Sequence, residues 1–240
     1  MTEIEMLSKD IFNNIKPYLQ DTCSLGLALF VCFAIYYYNK YDNDFYIKIS
    51  SVICIFYSLF DLYSGATIDF WIHHIAQFVL CAIAAFWSTK ATEIMKYIYY
   101  CLVVEISSIF YSFRSLFRTY LKQNPDSNTT SVKIIKQFQP INELLFFITF
   151  MYTRIYLFNK NVVLNPQCYT DVNSTFDFYM TGKILLASAS VLSIINLYWS
   201  KFLIKRFITK ACGRDITEYN PDPKDPFLME IEAVKTKLLK

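Results

Sequence analysis

Six apolar stretches, separated by short charged or polar breaks, leave this chain few ways to fold. They run over about 23–38, 45–63, 69–87, 95–113, 138–158 and 183–207. A helix rises about 1.5 Å per residue, so some twenty apolar residues cross a hydrocarbon core of about 30 Å. Lipid offers no partner to an unpaired backbone N–H or C=O, and a helix satisfies these groups within its own segment. The pattern therefore predicts an all-α integral membrane protein, a bundle of about six transmembrane helices. Composition supports this: 55% of the residues are hydrophobic and 18% charged, where soluble domains carry about 25% charge. The competing reading is a soluble helical protein, whose helices would carry broader polar faces.

Around these spans the chain divides into three parts. Residues 1–20 place Ile4, Met6, Leu7, Ile11 and Ile15 among charges, which suits a cytosolic amphipathic segment on the membrane surface. A solvated tail is the other reading. This segment lacks the apolar core of a cleaved signal peptide, so the first span is expected to stay as an anchor. Residues 40–210 form the main transmembrane domain, with polar loops expected over 119–137 and 159–182. Residues 211–240 are a charged cytosolic tail, with prolines at 221 and 223. Trp71 and Trp87 bracket the third span roughly 24 Å apart, as an aromatic belt predicts.

Orientation follows from the basic residues. Arg114, Arg118, Lys122, Lys133, Lys136, Lys205, Arg206, Lys210 and Arg214 fall on one side, with few Lys on the other. Both termini are accordingly expected in the cytosol. The sequon Asn173-Ser174-Thr175 is then luminal, and Asn173 is a candidate glycosylation site. The sequon at Asn128 would be cytosolic and silent. The net charge of +3 is small and its basic residues lie mainly in loops and tail, so nucleic acid is not an expected partner. The seven cysteines, at 23, 32, 54, 81, 101, 168 and 212, contain no Cys-x-x-Cys pair. Zinc or redox chemistry built on cysteine is therefore not expected.

Polar residues inside the spans carry the functional signal. Both histidines of the chain, His73 and His74, stand side by side near the start of the third span. Asp61 lies near the end of the second span, with Ser50, Cys54, Tyr57 and Ser58 on nearly the same face. A second reading of Asp61 is that it sits in the headgroup layer and ends the helix. Glu105 falls near the middle of the fourth span, on a face with Cys101, Ser108 and Ser112. Glu143 and Arg154 are eleven residues apart in the fifth, which three α-helical turns bring to one face. Ser193, Asn196 and Ser200 form a stripe in the sixth. Alternating span direction puts Asp61, His73, His74, Asn142 and Glu143 in the cytosolic half, with Glu105 deeper. An ionisable group in hydrocarbon costs about 2.5–3.5 kcal/mol on insertion scales. Several together imply either a hydrated cavity or a set of interhelical hydrogen bonds that hold the bundle together. In a cavity a neutral imidazole can act as a general base, oriented by a carboxylate. Adjacent histidines are poorly spaced for metal, since helical ligands prefer positions three or four apart. No metal or cofactor is expected.

These residues, in this order, resemble a known family. Asp61; Ile72-His73-His74-Ile75; Val104 through Phe110 with Arg114; Asn142-Glu143 to Arg154; and Asn196-Leu197-Tyr198-Trp199 resemble the TLC domain (TRAM, LAG1 and CLN8 homology). The resemblance implies an endoplasmic reticulum or related membrane and a role in lipid homeostasis. One branch comprises ceramide synthases, which transfer an acyl chain from acyl-CoA to a sphingoid amine. In that branch the His pair is catalytic and a further helix carries His-Asp. Here Glu105-Ile106-Ser107-Ser108 stands in that place, nearer the CLN8 and TLC-domain-containing branch. The expected partner is therefore a membrane lipid, a sphingolipid or phospholipid, within the lipid bilayer. Its binding residues would be His73, His74, Gln77, Glu105, Ser108, Glu143 and Arg154. If the protein is an acyltransferase, His73 or His74 would serve as base, with Asp61 or Glu105 as orienting carboxylate. A cargo receptor of the early secretory pathway is a third reading, weakened by the end Lys237-Leu238-Leu239-Lys240, which is not a clean dilysine signal.

Overall fold

A computed structural model describes residues 3–64, 67–86, 92–125, 127, 129–175 and 179–211; the side chains before Tyr18 and those of Ser64, Thr92, Glu93, Thr175, Tyr179, Lys210 and Ala211 are outside it. Eight α-helices follow in order: α1 (Glu3–Tyr41), α2 (Phe45–Ser64), α3 (Ile68–Phe86), α4 (Thr92–Val103), α5 (Ile106–Gln123), α6 (Thr130–Phe150), α7 (Pro166–Thr175) and α8 (Tyr179–Ala211). Two π-helical segments, Met151–Leu157 and Asn159–Val163, continue α6. Among the described residues, six stretches are long and apolar enough to cross a membrane: Tyr18–Tyr41, Phe45–Tyr63, Ile68–Phe86, Ile94–Gln123, Thr130–Val163 and Met180–Thr209. The protein is an all-α, multi-pass membrane protein.

The surface reads as a membrane surface. Phe33, Phe56, Ile148 and Ile194 are all more than half exposed, while Ser58, Asp61, His73, His74, Glu105 and Arg154 are buried. In water such an arrangement would forfeit hydrophobic stabilisation. In lipid the outward apolar groups lose nothing, and the inward polar groups find partners.

The chain divides into two compact units, residues 1–198 and 199–240. In the first, α2 packs along α3, and α1 packs against both α2 and α5. The turn between α1 and α2 is tight. Asp42 takes a positive φ of 48°, a conformation Asp tolerates better than most residues, and Asn43 Oδ1 accepts the Phe45 amide at 2.9 Å. The apolar core gathers where α1 ends, α2 begins, α3 ends and α4 begins, around Val31, Ile47, Leu80, Ile94, Ile98, Phe158 and Leu185. The polar residues gather from mid-bundle toward the opposite ends of these helices. Of the second unit, residues 199–211 are helical.

The spans are longer than their apolar cores. The polar loop expected over 119–137 is short, because α5 runs on to Gln123 and α6 begins at Thr130. The loop expected over 159–182 holds a π-helical segment and α7 instead. Hydropathy sees the part of a helix that faces lipid, whereas helical hydrogen bonding continues into amphipathic turns beyond it. Residues 3–20 likewise run without a break into the first span as part of α1.

Two backbone irregularities set up the site. The fourth span breaks at Val104-Glu105, where Glu105 N bonds Leu102 O (2.9 Å) and Ser108 N bonds Glu105 O (2.9 Å). These three-residue bonds tighten the turn that carries Glu105. In the fifth span the π-helical segment widens the turn that carries Arg154.

Candidate functional site

The first group forms where α2 ends and α3 begins. His74 Nε2 lies 2.8 Å from Asp61 Oδ2, and both side chains are 5% exposed. The approach has ion-pair distance without hydrogen-bond alignment, and His74 Nδ1 has no hydrogen-bond partner among the described residues. From α1, Gln20 Nε2 donates to Asp61 Oδ1 at 3.1 Å. The Tyr57 and His73 rings meet the His74 ring edge-on, with centroids at 5.7 and 5.3 Å. Of the two histidines expected near Asp61, His74 reaches it, and Asp61 is buried near the end of a packed helix.

The second group is one turn further along α3. His73 and Gln77 are four residues apart and share a face. Gln77 Nε2 donates to Glu105 Oε1 at 3.1 Å, and Ser108 Oγ donates to Glu105 Oε2 at 2.7 Å. Arg154 completes the group. Its Nε donates to Ser107 Oγ at 2.8 Å, its Nη2 to Ser108 Oγ at 2.9 Å, and its Nη1 to Asn196 Oδ1 at 3.4 Å. Nη2 also stands 3.8 Å from Glu105 Oε2. Phe150 covers the guanidinium at 5.6 Å. A buried charge is tolerated when it is paired and its hydrogen-bonding capacity is met, and Glu105 and Arg154 satisfy both conditions.

Glu143 meets two arginines of α5. Its Oε1 lies 3.3 Å from Arg118 Nη2 and 4.0 Å from Arg114 Nε, between α5 and α6. Arg154 lies further along the same span. Eleven residues put the two about 16 Å apart along the helix axis, so lying on one side of it does not bring them into contact. Asn142, beside it, donates from Nδ2 to the Phe110 carbonyl at 2.9 Å and ties α6 to α5.

Sequence reasoning passed over Ser107, Gln20 and Asn159. Ser107 was legible as a further hydroxyl beside Ser108, and Gln20 as a polar residue at the mouth of the first span. Asn159 accepts a hydrogen bond from Ser193 on α8; nothing in its sequence position marked it. Asn173 is exposed on α7. Asn128, Trp87 and the tail beyond Ala211 lie outside the described residues.

α7 is fastened by charge. Asp171 accepts from Lys96 Nζ at 2.8 Å, Tyr97 Oη at 2.6 Å and Gln167 Nε2 at 2.6 Å. The Lys96, Tyr97 and Gln167 donors hold its carboxyl down at about 2. Beside it, burial and then the Asp171 charge push the Cys168 thiol up to about 12.

Among the described residues, no three His, Cys, Asp or Glu side chains assemble as a metal site. The available chemistry is that of imidazole, carboxylate, guanidinium and hydroxyl groups. These can bind the polar head of an amphiphile, and an imidazole beside a carboxylate can move a proton.

Six apolar spans with ionisable groups buried among them define a polytopic helical membrane protein. The family profile described as TLC domain (TRAM, LAG1 and CLN8 homology) matches residues 7–205, and the chain belongs to that family. The match makes it a multi-pass membrane protein linked to lipid biology. No curated protein matches the chain, and no solved structure does.

Proposed function

We propose that this protein binds or transfers a membrane lipid whose polar head engages His73, His74 and the Gln77–Glu105–Ser108–Arg154 group. The observation that carries this reading is the 2.8 Å approach of His74 to Asp61 inside an apolar span. A bundle held together by apolar packing alone needs neither group, and both are expensive to bury. A sphingolipid or phospholipid head offers the amines, hydroxyls and phosphate that these side chains recognise, and its acyl chains suit the surrounding membrane. The Glu105-Ile106-Ser107-Ser108 sequence supports a place nearer the CLN8 and TLC-domain-containing branch. The endoplasmic reticulum or a related membrane, with both termini cytosolic, fits the basic residues of the loops.

The test is mass spectrometry of lipids that copurify with the wild type and with the His73→Ala, His74→Ala double variant. A lipid species retained by the wild type and lost from the folded variant supports the reading. Identical lipid content in both would sink it.

A second reading, acyl transfer, has one observation in its favour. A carboxylate beside an imidazole whose other nitrogen has no hydrogen-bond partner is a general-base arrangement. Its mark is an acyl product that needs His74 and Asp61 together. A binding site tolerates partial loss of either. The cargo-receptor reading finds no comparable support.

A further inference from the structure

Arg114 is a cation short of partners. It stands on α5, one turn before Arg118, and its side chain is 13% exposed. Among the described residues no group accepts a hydrogen bond from it, and its Nε is fully enclosed. Its contacts are Glu143 Oε1 at 4.0 Å and the Phe146 ring at 5.5 Å. Arg118 takes the same Glu143 oxygen at the closer distance of 3.3 Å. Two guanidinium groups thus share one carboxylate, and the pair is left with net positive charge. A guanidinium offers five N–H groups in a planar fork. Leaving such donors unmade inside a protein is costly.

The location indicates what fills the deficit. Arg118 lies five residues before the end of α5 at Gln123, about 8 Å along the helix axis. That is headgroup depth for a span that leaves the membrane there. On α6, Ile141, Leu145 and Ile148 turn outward, each at least two-fifths exposed. An amphiphile seated on the arginines therefore has an apolar surface along which to lay its chains. The required head is anionic and rich in acceptor oxygens. A phosphate meets this demand, because guanidinium binds it through paired, charge-assisted hydrogen bonds.

We infer that Arg114 and Arg118 form a second lipid site, on the outer face between α5 and α6, for the phosphate head of an anionic glycerophospholipid. It is separate from the histidine group and does not depend on the function proposed for that group. Glu143 acts there as a placeholder: it holds the two guanidinium groups in position and competes with the phosphate for them.

The full-length protein, reconstituted in phosphatidylcholine bilayers containing phosphatidic acid, tests this by native mass spectrometry of the retained lipids. Arg118→Gln, the more exposed position, should lower the retained phosphatidic acid about fivefold, as expected for one arginine at an anionic membrane surface. Arg114→Gln should do the same or more, and Glu143→Gln should raise retention. Lys133→Gln with Lys136→Gln, exposed on α6, should leave it unchanged. If Arg114→Gln does not fold, Arg118→Gln and Glu143→Gln still decide the matter. Wild-type retention in Arg118→Gln overturns the site, as does lower retention in Glu143→Gln. An equal loss in the lysine variant shows diffuse surface charge in place of a site and also overturns it. Competition by excess inorganic phosphate would show that the arginines take free phosphate and would overturn the lipid assignment. Phosphatidic acid retained by the His73→Ala, His74→Ala variant, which tests the other function, supports the independence of the two sites; its loss there overturns their separation.

Discussion

Arg154 Nη2 stands 3.8 Å from Glu105 Oε2, and each side chain is brought there by a departure from regular α-helix. Glu105 rides a tightened turn, and Arg154 a widened π-helical one. Such π segments often sit at functional sites, because the extra residue re-aims a side chain at the cost of regular bonding. Ser108 bridges the two charges, and Ser107 accepts a further hydrogen bond from Arg154. The pair therefore joins the fourth and fifth spans at one level of the bundle, with Gln77 attaching the third.

Removing one member of this pair strands the other. Arg154→Met should destabilise the fold by about 3–5 kcal/mol, and Glu105→Gln by a comparable amount, because an uncompensated buried charge remains. The double variant should lose less than the sum. Thermal unfolding in detergent of the two single variants and the double variant measures this. Strict additivity would mean that the two charges are not coupled.

Asp61 holds His74 and is itself held by Gln20. Asp61→Asn should therefore reproduce the lipid-retention phenotype of His74→Ala while the protein stays folded. Gln20→Ala, removing one supporting hydrogen bond worth about 1 kcal/mol, should weaken retention only in part. If Asp61→Asn behaves as wild type in lipid retention, the carboxylate does not position the imidazole.

Much of this arrangement was legible in the chain. Spans are legible because lipid imposes a length and a composition. Asp61, His73, His74 and Glu105 are legible because a polar residue in an apolar run is rare and needs a cause. The meeting of Asp61 with His74 followed from span direction alone. Arg154 was placed among the same binding residues as Glu105 and Ser108, but its direct approach to Glu105 was not. Periodicity orders residues around one helix and does not say which neighbouring helix they meet. The break at Val104-Glu105 was hidden for another reason. No Pro or Gly marks it, and the apolar residues on both sides read as one continuous span. The Lys96–Tyr97–Asp171 clasp was invisible because it joins a span end to a helix that looked like loop.

Asn173 offers the check on orientation. It is exposed on α7, and Ser174 follows it in the sequon. In a cell that glycosylates secretory proteins, the wild type should show a glycosidase-sensitive mass shift that Asn173→Gln abolishes. A shift that persists in Asn173→Gln and disappears in Asn128→Gln would reverse the orientation, and the arginines on α5 would then face the lumen.

Asp171 predicts how α7 responds to acid. Its carboxyl titrates at about 2 in the folded protein, below its ordinary 3.8, because Lys96, Tyr97 and Gln167 all donate to the ionised form. A depressed carboxylate stabilises the fold at pH above the ordinary value and loses that contribution as pH falls toward 2. The α7 clasp should therefore be constant from neutral pH to about pH 4 and loosen between about pH 4 and 2. Hydrogen exchange of the α7 amides reads this out. In Asp171→Asn the protection should be reduced at neutral pH and nearly flat across the acid window, since the titrating group is gone. A variant that keeps the wild-type acid transition would place its origin in another group.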